Sequence, residues 1–250
     1  GGCVEVCPQG IHRRSPGTLR HRVDRSIQCA GCRKCAEACP VRAIEIAGEE
    51  KTVSELLEIA REDQAFYDSS GGGVTLGGGE VTSQPEAALS LLQACKRAGI
   101  HTAIETCGYT RRENLLRLAE FTDLFLYDIK HIDSVQHHKW TGVHNERILD
   151  NLTALLQSRY TVKVRMPLIG GVNDKPEDIE GVARFLLPYR ELRTFKGIDL
   201  LPYHRLGGAK YQQLDMDYIF DQELGVSEGK LVRIEGQLRE YGFQVRTIRH

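Results

Sequence analysis

Nowhere in the 250 residues does an apolar run approach the roughly 20 residues that cross a bilayer. The runs are short, such as Ala87–Leu92. Charge excess is also missing: 33 Lys and Arg face 34 Asp and Glu, for a formal net charge of −1. That balance gives no field to hold the chain on nucleic acid or a membrane surface, so neither is an expected partner. No stretch reads as a signal peptide. No internal repeat, low-complexity tract or long linker breaks the pattern. What is present is 41% apolar residues, enough for a sizeable core, in a length that suits one large α/β barrel or two ordinary domains. The chain starts at Gly1 rather than at a methionine, and inside a motif, so a preceding segment is expected.

Eight cysteines are present, and six of them fall in the first 39 residues: Cys3, Cys7, Cys29, Cys32, Cys35 and Cys39. Such crowding suits a disulfide framework in a small secreted domain. The spacing argues against it. Cys29-Ala-Gly-Cys32-Arg-Lys-Cys35-Ala-Glu-Ala-Cys39-Pro40 reads C-x₂-C-x₂-C-x₃-C-P, the bacterial ferredoxin run. Three thiolates in one tight loop reach three irons of a single [4Fe–4S] cube, and the fourth cysteine, before proline, ligates a neighbouring cluster. Structural zinc is the other metal reading, but zinc sites usually pair two C-x₂-C units across a longer gap.

Cys3-Val-Glu-Val-Cys7-Pro8 is the tail of a second such run. With the fourth ligands exchanged, Cys7 completes the cluster of Cys29, Cys32 and Cys35, and Cys39 joins Cys3 and two cysteines upstream of Gly1. Alone, Cys3 and Cys7 would also fit a loop pair or a disulfide. Between the runs, Gly10–Ile27 carries His12, Arg13, Arg14, Arg20, His21, Arg22 and Arg25. It reads either as a solvated basic linker or as a docking surface for an electron donor.

Beyond Ile44 helices and strands alternate. Thr52-Val-Ser-Glu55 is a capping box that opens a helix running to about Ala65. Further helices are expected at Pro85–Ala98, Arg112–Phe121, Asn145–Ser158, Asp178–Leu187 and Glu228–Tyr241. Strands are expected at Gly72–Leu76, His101–Thr106, Asp123–Ile129, Thr161–Leu168, Gly197–Leu201 and Phe243–Ile248. Apolar strands alternating with helices mean a parallel sheet with helices outside it. His137-His138-Lys139-Trp140 is a polar helix or loop at the surface, and Cys95, among Leu91, Leu92 and Ala94, is a core residue.

Polar residues collect at the strand ends: Glu80 after Gly77-Gly78-Gly79, Glu105 and Thr106, Asp128 and Lys130, Arg165, and His204 after Leu201-Pro202-Tyr203. In β/α barrels, catalytic groups gather at the C-terminal ends of strands. The repetition across five strands points to one shared site. The glycines match neither a dinucleotide-binding fingerprint nor a P-loop; they allow a backbone to approach a ligand closely, or mark a bulged strand end.

Gly77-Gly78-Gly79-Glu80 resembles the GGE motif of radical S-adenosylmethionine (SAM) enzymes. With the ferredoxin run, the chain is similar to the activating enzymes of glycyl-radical enzymes. Phe66–Glu80, Gly99–Gly108, Asp123–His131 and Leu200–His204 carry that resemblance, which covers essentially the whole chain. Arg165–Asp174 and Phe195–His204 are most similar to a subgroup with two extra clusters.

The resemblance implies a partial (β/α)6 radical SAM barrel lacking its first strand, over residues 46–250, preceded over residues 1–45 by an inserted, bacterial-ferredoxin-like two-cluster segment. It implies a cytoplasmic enzyme that reductively cleaves SAM to a 5′-deoxyadenosyl radical and takes hydrogen from a glycine of a partner glycyl-radical enzyme. The implied partner is of the choline trimethylamine-lyase type, with formate-lyase, diol dehydratase and decarboxylase types as alternatives; flavodoxin or ferredoxin would donate electrons. Gly78 and Gly79 would meet the methionine amino group of SAM, with Glu80 shaping the loop. Asp128, Ile129 and Lys130 would bind the methionine and ribose parts, His204 would lie by the adenosine, and Arg165 would face the SAM carboxylate or the partner.

One departure from the family is plain. Its radical cluster is held by a C-x₃-C-x₂-C loop, and no such triplet occurs here. The residue three positions beyond Cys7 is Gly10, and three beyond Cys39 is Arg42. The third [4Fe–4S] cluster and the first barrel strand are therefore expected upstream of Gly1, and these 250 residues alone are not expected to cleave SAM. The rival reading is a non-catalytic two-cluster electron carrier with redox activity but no SAM binding; a zinc protein is a weaker one.

Overall fold

The structure, a computed structural model, describes residues 1–17, 20–204, 208–213 and 224–249. It divides into two compact units, Gly1–Thr52 and Val53–His250. The first contains helix α1 (Gly2–Val6), a hairpin of β1 (His12–Arg14) and β2 (His21–Val23), and the short helix α2 (Lys34–Glu37). The basic segment is thus an antiparallel ladder, with Arg13 opposite Arg22 and Arg14 opposite His21. Its buried residues among those described are Ile11 and His12.

The second unit contains α3 (Val53–Glu62), α4 (Gln64–Ser70), β3 (Gly73–Leu76), α5 (Pro85–Arg97), β4 (His101–Thr106), α6 (Arg112–Ala119), β5 (Leu124–Asp128), α7 (Ser134–Thr141) and α8 (Glu146–Gln157). It continues with β6 (Val162–Leu168), α9 (Pro176–Leu186), β7 (Phe195–Pro202), α10 (Gly208–Gln213), α11 (Glu228–Glu240) and β8 (Val245–Thr247). The six strands β3 to β8 form one sheet in sequence order, every neighbouring pair parallel. That order follows from short β-helix-β crossovers, which bring consecutive strands side by side.

The core is a consequence of periodicity. In α8, Ile148, Leu152, Leu155 and Leu156 fall on one stripe and are buried against the sheet. In β6 burial alternates along the strand, with Val162, Val164, Met166 and Leu168 inside. Pro85 and Pro176 open α5 and α9, where a missing N–H costs nothing. Cys95 is fully buried beside Ala60 and Ile100.

Two local expectations change. The helix expected from Thr52 to about Ala65 is two helices, because Asp63 leaves helical geometry and starts α4. His137 is not a surface residue. It lies in α7, whose N-cap Asp133 accepts from the Gln136 N–H at 2.8 Å. Only 2% of His137 is exposed, and its Nδ1 lies 2.7 Å from the Val143 carbonyl.

Candidate functional site

Parallel strands point all their C-terminal ends one way, so the polar residues that follow β3, β4 and β5 converge. Glu80, behind β3, is the best-anchored of them. Its Oε1 accepts from the Thr82 N–H (3.1 Å), the Thr82 hydroxyl (2.8 Å) and the Thr106 hydroxyl (2.6 Å); its Oε2 accepts from the Cys107 N–H (2.9 Å). Burial alone would raise the Glu80 carboxyl, but the bonds from Thr106, Cys107 and Thr82 outweigh it and hold the pKa below the ordinary glutamate value. Glu80 therefore fixes the glycine loop to the end of β4, and its carboxylate is saturated by protein donors.

The loop it fixes is open. At Gly78, with φ +105°, and at Gly79, a Cβ would meet nothing within 4 Å. Backbone polar groups there can be approached closely by a ligand. A zwitterionic sulfonium such as SAM, with an ammonium, a carboxylate and a ribose, suits this setting of exposed backbone beside fixed charges.

Next to the loop lies a charge network. Arg165 on β6 donates through Nε to Asp128 Oδ1 at 2.8 Å and through Nη1 to Glu105 Oε1 at 2.6 Å. The β5–β6 register sets Asp128 directly opposite Arg165. Burial raises the pKa of Asp128, and Arg165 offsets this only in part. Arg165 itself is half-buried, which works against its charge, yet Asp128 and Glu105 keep it more firmly protonated than a free arginine.

Ile129 has its side chain in the core, 2% exposed, and its N–H donates to the Arg165 carbonyl at 2.9 Å. Lys130 is exposed, and its carbonyl accepts from Asn173 Nδ2 at 2.7 Å. Asn173 also donates to the Pro167 carbonyl at 2.6 Å, tying the loop after β5 to the end of β6. His204 is exposed just beyond β7, where the Tyr203 N–H donates to the Leu168 carbonyl.

The sequence locates Glu105 and Thr106 at a strand end but gives neither a partner, and Cys107, which lacks cluster spacing, carries no assigned role there. Glu105 is the second anchor of Arg165, and Thr106 and Cys107 hold Glu80. The available signal was the polar Glu105-Thr106 pair that closes β4 directly after the apolar Ala103-Ile104.

In the first unit none of the six cysteines is in a disulfide. Cys3 lies on α1 and Cys7 follows it; Cys35 lies on α2 and Cys39 follows that helix, so the two C-x₃-C-P runs have the same local build. Cys29 and Cys32 are exposed in the loop before α2. Gly31, at φ +65°, donates its N–H to Cys29 Sγ at 3.4 Å, and the Ala43 N–H donates to Cys39 Sγ at 3.2 Å. At Cys7 burial works upward, yet N–H groups of Ile11, Gln9, His12 and Gly10 hold the thiol below its ordinary pKa. At Cys39 the Ala43 N–H leads in the same direction. Solvent-facing soft donors in one loop, with N–H groups on the flanking sulfurs, fit an iron–sulfur cluster.

A second donor set shares one of these thiols. Ligand atoms of Cys3, His12 and His21 lie within 4.8 Å of one another. His12 Nδ1 and His21 Nε2 are 2.8 Å apart in a mutual hydrogen bond, so both nitrogens are committed to each other.

The sequence model of the radical SAM superfamily matches residues 30–186. The chain is similar to the choline trimethylamine-lyase activating enzyme of Oleidesulfovibrio alaskensis, with 54% identity over 250 residues covering 100% of this chain and 81% of that protein. It is 42% identical to the isethionate sulfite-lyase activating enzyme of Nitratidesulfovibrio vulgaris, over 86% of this chain and 69% of that protein. Among solved structures it is similar to a domain of a pyruvate-formate lyase-activating enzyme from Bacteroides vulgatus, with a TM-score of 0.60, 31% identity, and coverage of 71% of this chain and 99% of that one.

Proposed function

This chain belongs to the radical SAM superfamily and, within it, to the activating enzymes of glycyl-radical enzymes, and we propose that its protein substrate is a choline trimethylamine-lyase. The observation that carries the proposal is the 54% identity over all 250 residues to an activator of that lyase. As a member of the family it is an enzyme that uses SAM and a [4Fe–4S] cluster. When bound and reduced by one electron, SAM supplies a 5′-deoxyadenosyl radical that removes hydrogen from a glycine of the partner.

The chain's own residues take these parts in the proposal. Gly78 and Gly79 offer backbone groups to the methionine ammonium, and Glu80 holds that loop rigid through Thr106, Cys107 and Thr82. Asp128 and Lys130 face the methionine and ribose portions, Ile129 contributes backbone only, and His204 flanks the adenosine. Arg165, held between Asp128 and Glu105, offsets one of the two carboxylate charges, and its oriented guanidinium faces the SAM carboxylate or the partner. No C-x₃-C-x₂-C run occurs in the 250 residues, so none of these thiols is assigned to the cluster that meets SAM.

Cys29, Cys32, Cys35 and Cys7 are proposed to hold one ferredoxin-type [4Fe–4S] cluster, and Cys39 and Cys3 to belong to a second. Both would pass electrons from a cytoplasmic flavodoxin or ferredoxin. A second reading, zinc on Cys3, His12 and His21, is favoured by their proximity alone and predicts one zinc and less iron by metal analysis.

The test is anaerobic reconstitution of the enzyme, together with any residues that precede Gly1, and incubation with reductant, SAM and choline trimethylamine-lyase. The expected result is 5′-deoxyadenosine and a glycyl-radical EPR doublet on that lyase, and none on isethionate sulfite-lyase. Radical formation on the sulfite-lyase alone would overturn the choice of substrate; redox activity without SAM binding would favour the electron carrier.

A further inference from the structure

The loop that leaves β4 does two things. Its first residues hold Glu80, and its last residues frame a wide, open cavity of about 580 Å³. Three arginines line that cavity: Arg111 and Arg112 at the start of α6, and Arg147 on the first turn of α8. All three are exposed, and among the described residues none makes an ion pair with a carboxylate. Glu113 and Asp150 also line it and are equally unpaired, so the local balance is one net positive charge. The guanidinium of Arg147 lies over the ring of Tyr109, 5.1 Å from its centre, and Tyr109 is 41% exposed.

The frame around these arginines is rigid. Asn151, one turn after Arg147, is buried and donates through Nδ2 to the carbonyls of Gly108 (2.8 Å) and Thr110 (2.9 Å). Gly108 packs on Tyr127 so closely that a Cβ would meet the Tyr127 ring, and the Tyr127 hydroxyl donates to the Ile148 carbonyl at 2.7 Å. The Gly108 N–H donates to the Thr106 hydroxyl, which donates to Glu80. Loop, helix α8 and glycine loop are thus one hydrogen-bonded assembly, with the arginines on its solvent side.

Exposed arginines beside an exposed tyrosine, on a preorganised frame, have the make-up of an interface anchor. Guanidinium groups without an ion-pair partner, in excess over the local carboxylates, favour an acidic partner surface and speed its encounter. The loop whose Thr106 and Cys107 hold Glu80 runs on, within a few residues, into the cavity lining at Thr110 and Arg111, so the cavity lies on the side of the sheet where β4 ends. We propose that Tyr109, Arg111, Arg112 and Arg147 dock an acidic segment of the protein substrate next to the glycine it presents. This rests on the reading of a glycyl-radical enzyme as substrate, and it adds a contact surface outside the SAM-binding residues.

The experiment uses the reconstituted enzyme with R111Q/R112Q/R147Q and, as a control of the same exposed type, R233Q on α11, the helix that packs beside β8 at the far end of the sheet order. Three quantities are read: binding to choline trimethylamine-lyase across a salt series, the KM for that lyase in glycyl-radical formation, and SAM consumption without partner. The triple variant should bind about tenfold more weakly with a flatter salt dependence and raise KM to match, with partner-free SAM consumption and the R233Q control at wild-type levels. Conservative R111K/R112K/R147K should recover most of the binding, which a purely structural role of the arginines would not predict. Wild-type binding and KM in the triple glutamine variant would overturn the docking surface and leave the proposed function standing. Inorganic phosphate that competes as well for R111Q/R112Q/R147Q as for wild type would also overturn it. No glycyl radical with the wild-type enzyme would instead remove the function on which the docking depends.

Discussion

The two units are held together by different means. Val53–His250 has a continuous apolar core, from Leu92 and Ile104 through Phe125, Leu152 and Val164 to Leu238. Among its described residues Gly1–Thr52 buries Ile11 and His12 and otherwise offers thiols, arginines and short elements. About 50 residues with so little apolar burial cannot offset chain entropy alone. The difference indicates that the second unit folds on hydrophobic burial and the first folds on whatever its cysteines hold, as small metal-bound domains do.

The sharpest way to break that contrast is to remove the metal. Replacing Cys29, Cys32 and Cys35 by alanine, or chelating iron, should abolish amide protection throughout Gly1–Thr52 and eliminate its iron–sulfur absorbance. The sheet of Val53–His250 should keep its protection and its cooperative unfolding. Hydrogen exchange on the intact chain reads both units at once. A protected first unit without iron would mean that its fold rests on contacts other than thiolate ligation.

A smaller effect tests the second unit at the place where its packing and its chemistry meet. Gly108 has φ +70°, and a Cβ there would lie on top of the Tyr127 ring, which is fully buried. Gly108→Ala combines a left-handed backbone with a clash that the Tyr127–Ile148 bond prevents from relaxing. It should cost about 3 kcal/mol, or a fall of about 8 °C in Tm for a unit of this size. Iron content should be unaffected. A fall below about 1 kcal/mol would show that the loop yields, and that Asn151 does not fix it.

The same contrast explains what was legible beforehand. The parallel sheet could be read because apolar strands and amphipathic helices repeat at fixed periods, and β5 and β6 lie within a residue or two of expectation. The break between α3 and α4 is marked in the sequence by Asp63 alone, a residue that favours caps over helix interiors, within a run that otherwise reads as continuous helix. The hairpin of His12–Val23 was hidden because its strands are three residues each and carry charged or polar side chains on both faces, Arg13 and Arg22 on one and His12, Arg14 and His21 on the other. At the site, spacing located Glu80, Asp128 and Arg165, because each follows or sits on a strand. Their pairing was not legible: that Arg165 bridges Asp128 and Glu105 depends on strand register, and that Glu80 is held by Thr106 depends on two loops meeting. The arginine cavity was invisible for the same reason, since Arg111 and Arg147 come from different helices.

The finest test asks whether Glu80 acts as a charged anchor. Its pKa is lowered in the folded protein from the ordinary value of 4.5. A carboxylate with a depressed folded pKa stabilises the fold fully above its unfolded pKa, and that contribution is lost as pH falls through the folded value. Asp128 has the opposite sign, because burial raises its pKa and so favours the native state at low pH. The difference between wild type and Glu80→Gln isolates the first effect, since Asp128 is common to both. Four donated bonds converge on Glu80, and bonds to an ionised acceptor are worth about 1.5–3 kcal/mol; glutamine keeps one oxygen to accept some of them. Wild type should therefore exceed Glu80→Gln by about 1–2 kcal/mol in urea unfolding above pH 4.5, and the gap should close as the solution is acidified below it. A gap that stays constant across that range would mean that the shape of the side chain, not its charge, holds the glycine loop to β4.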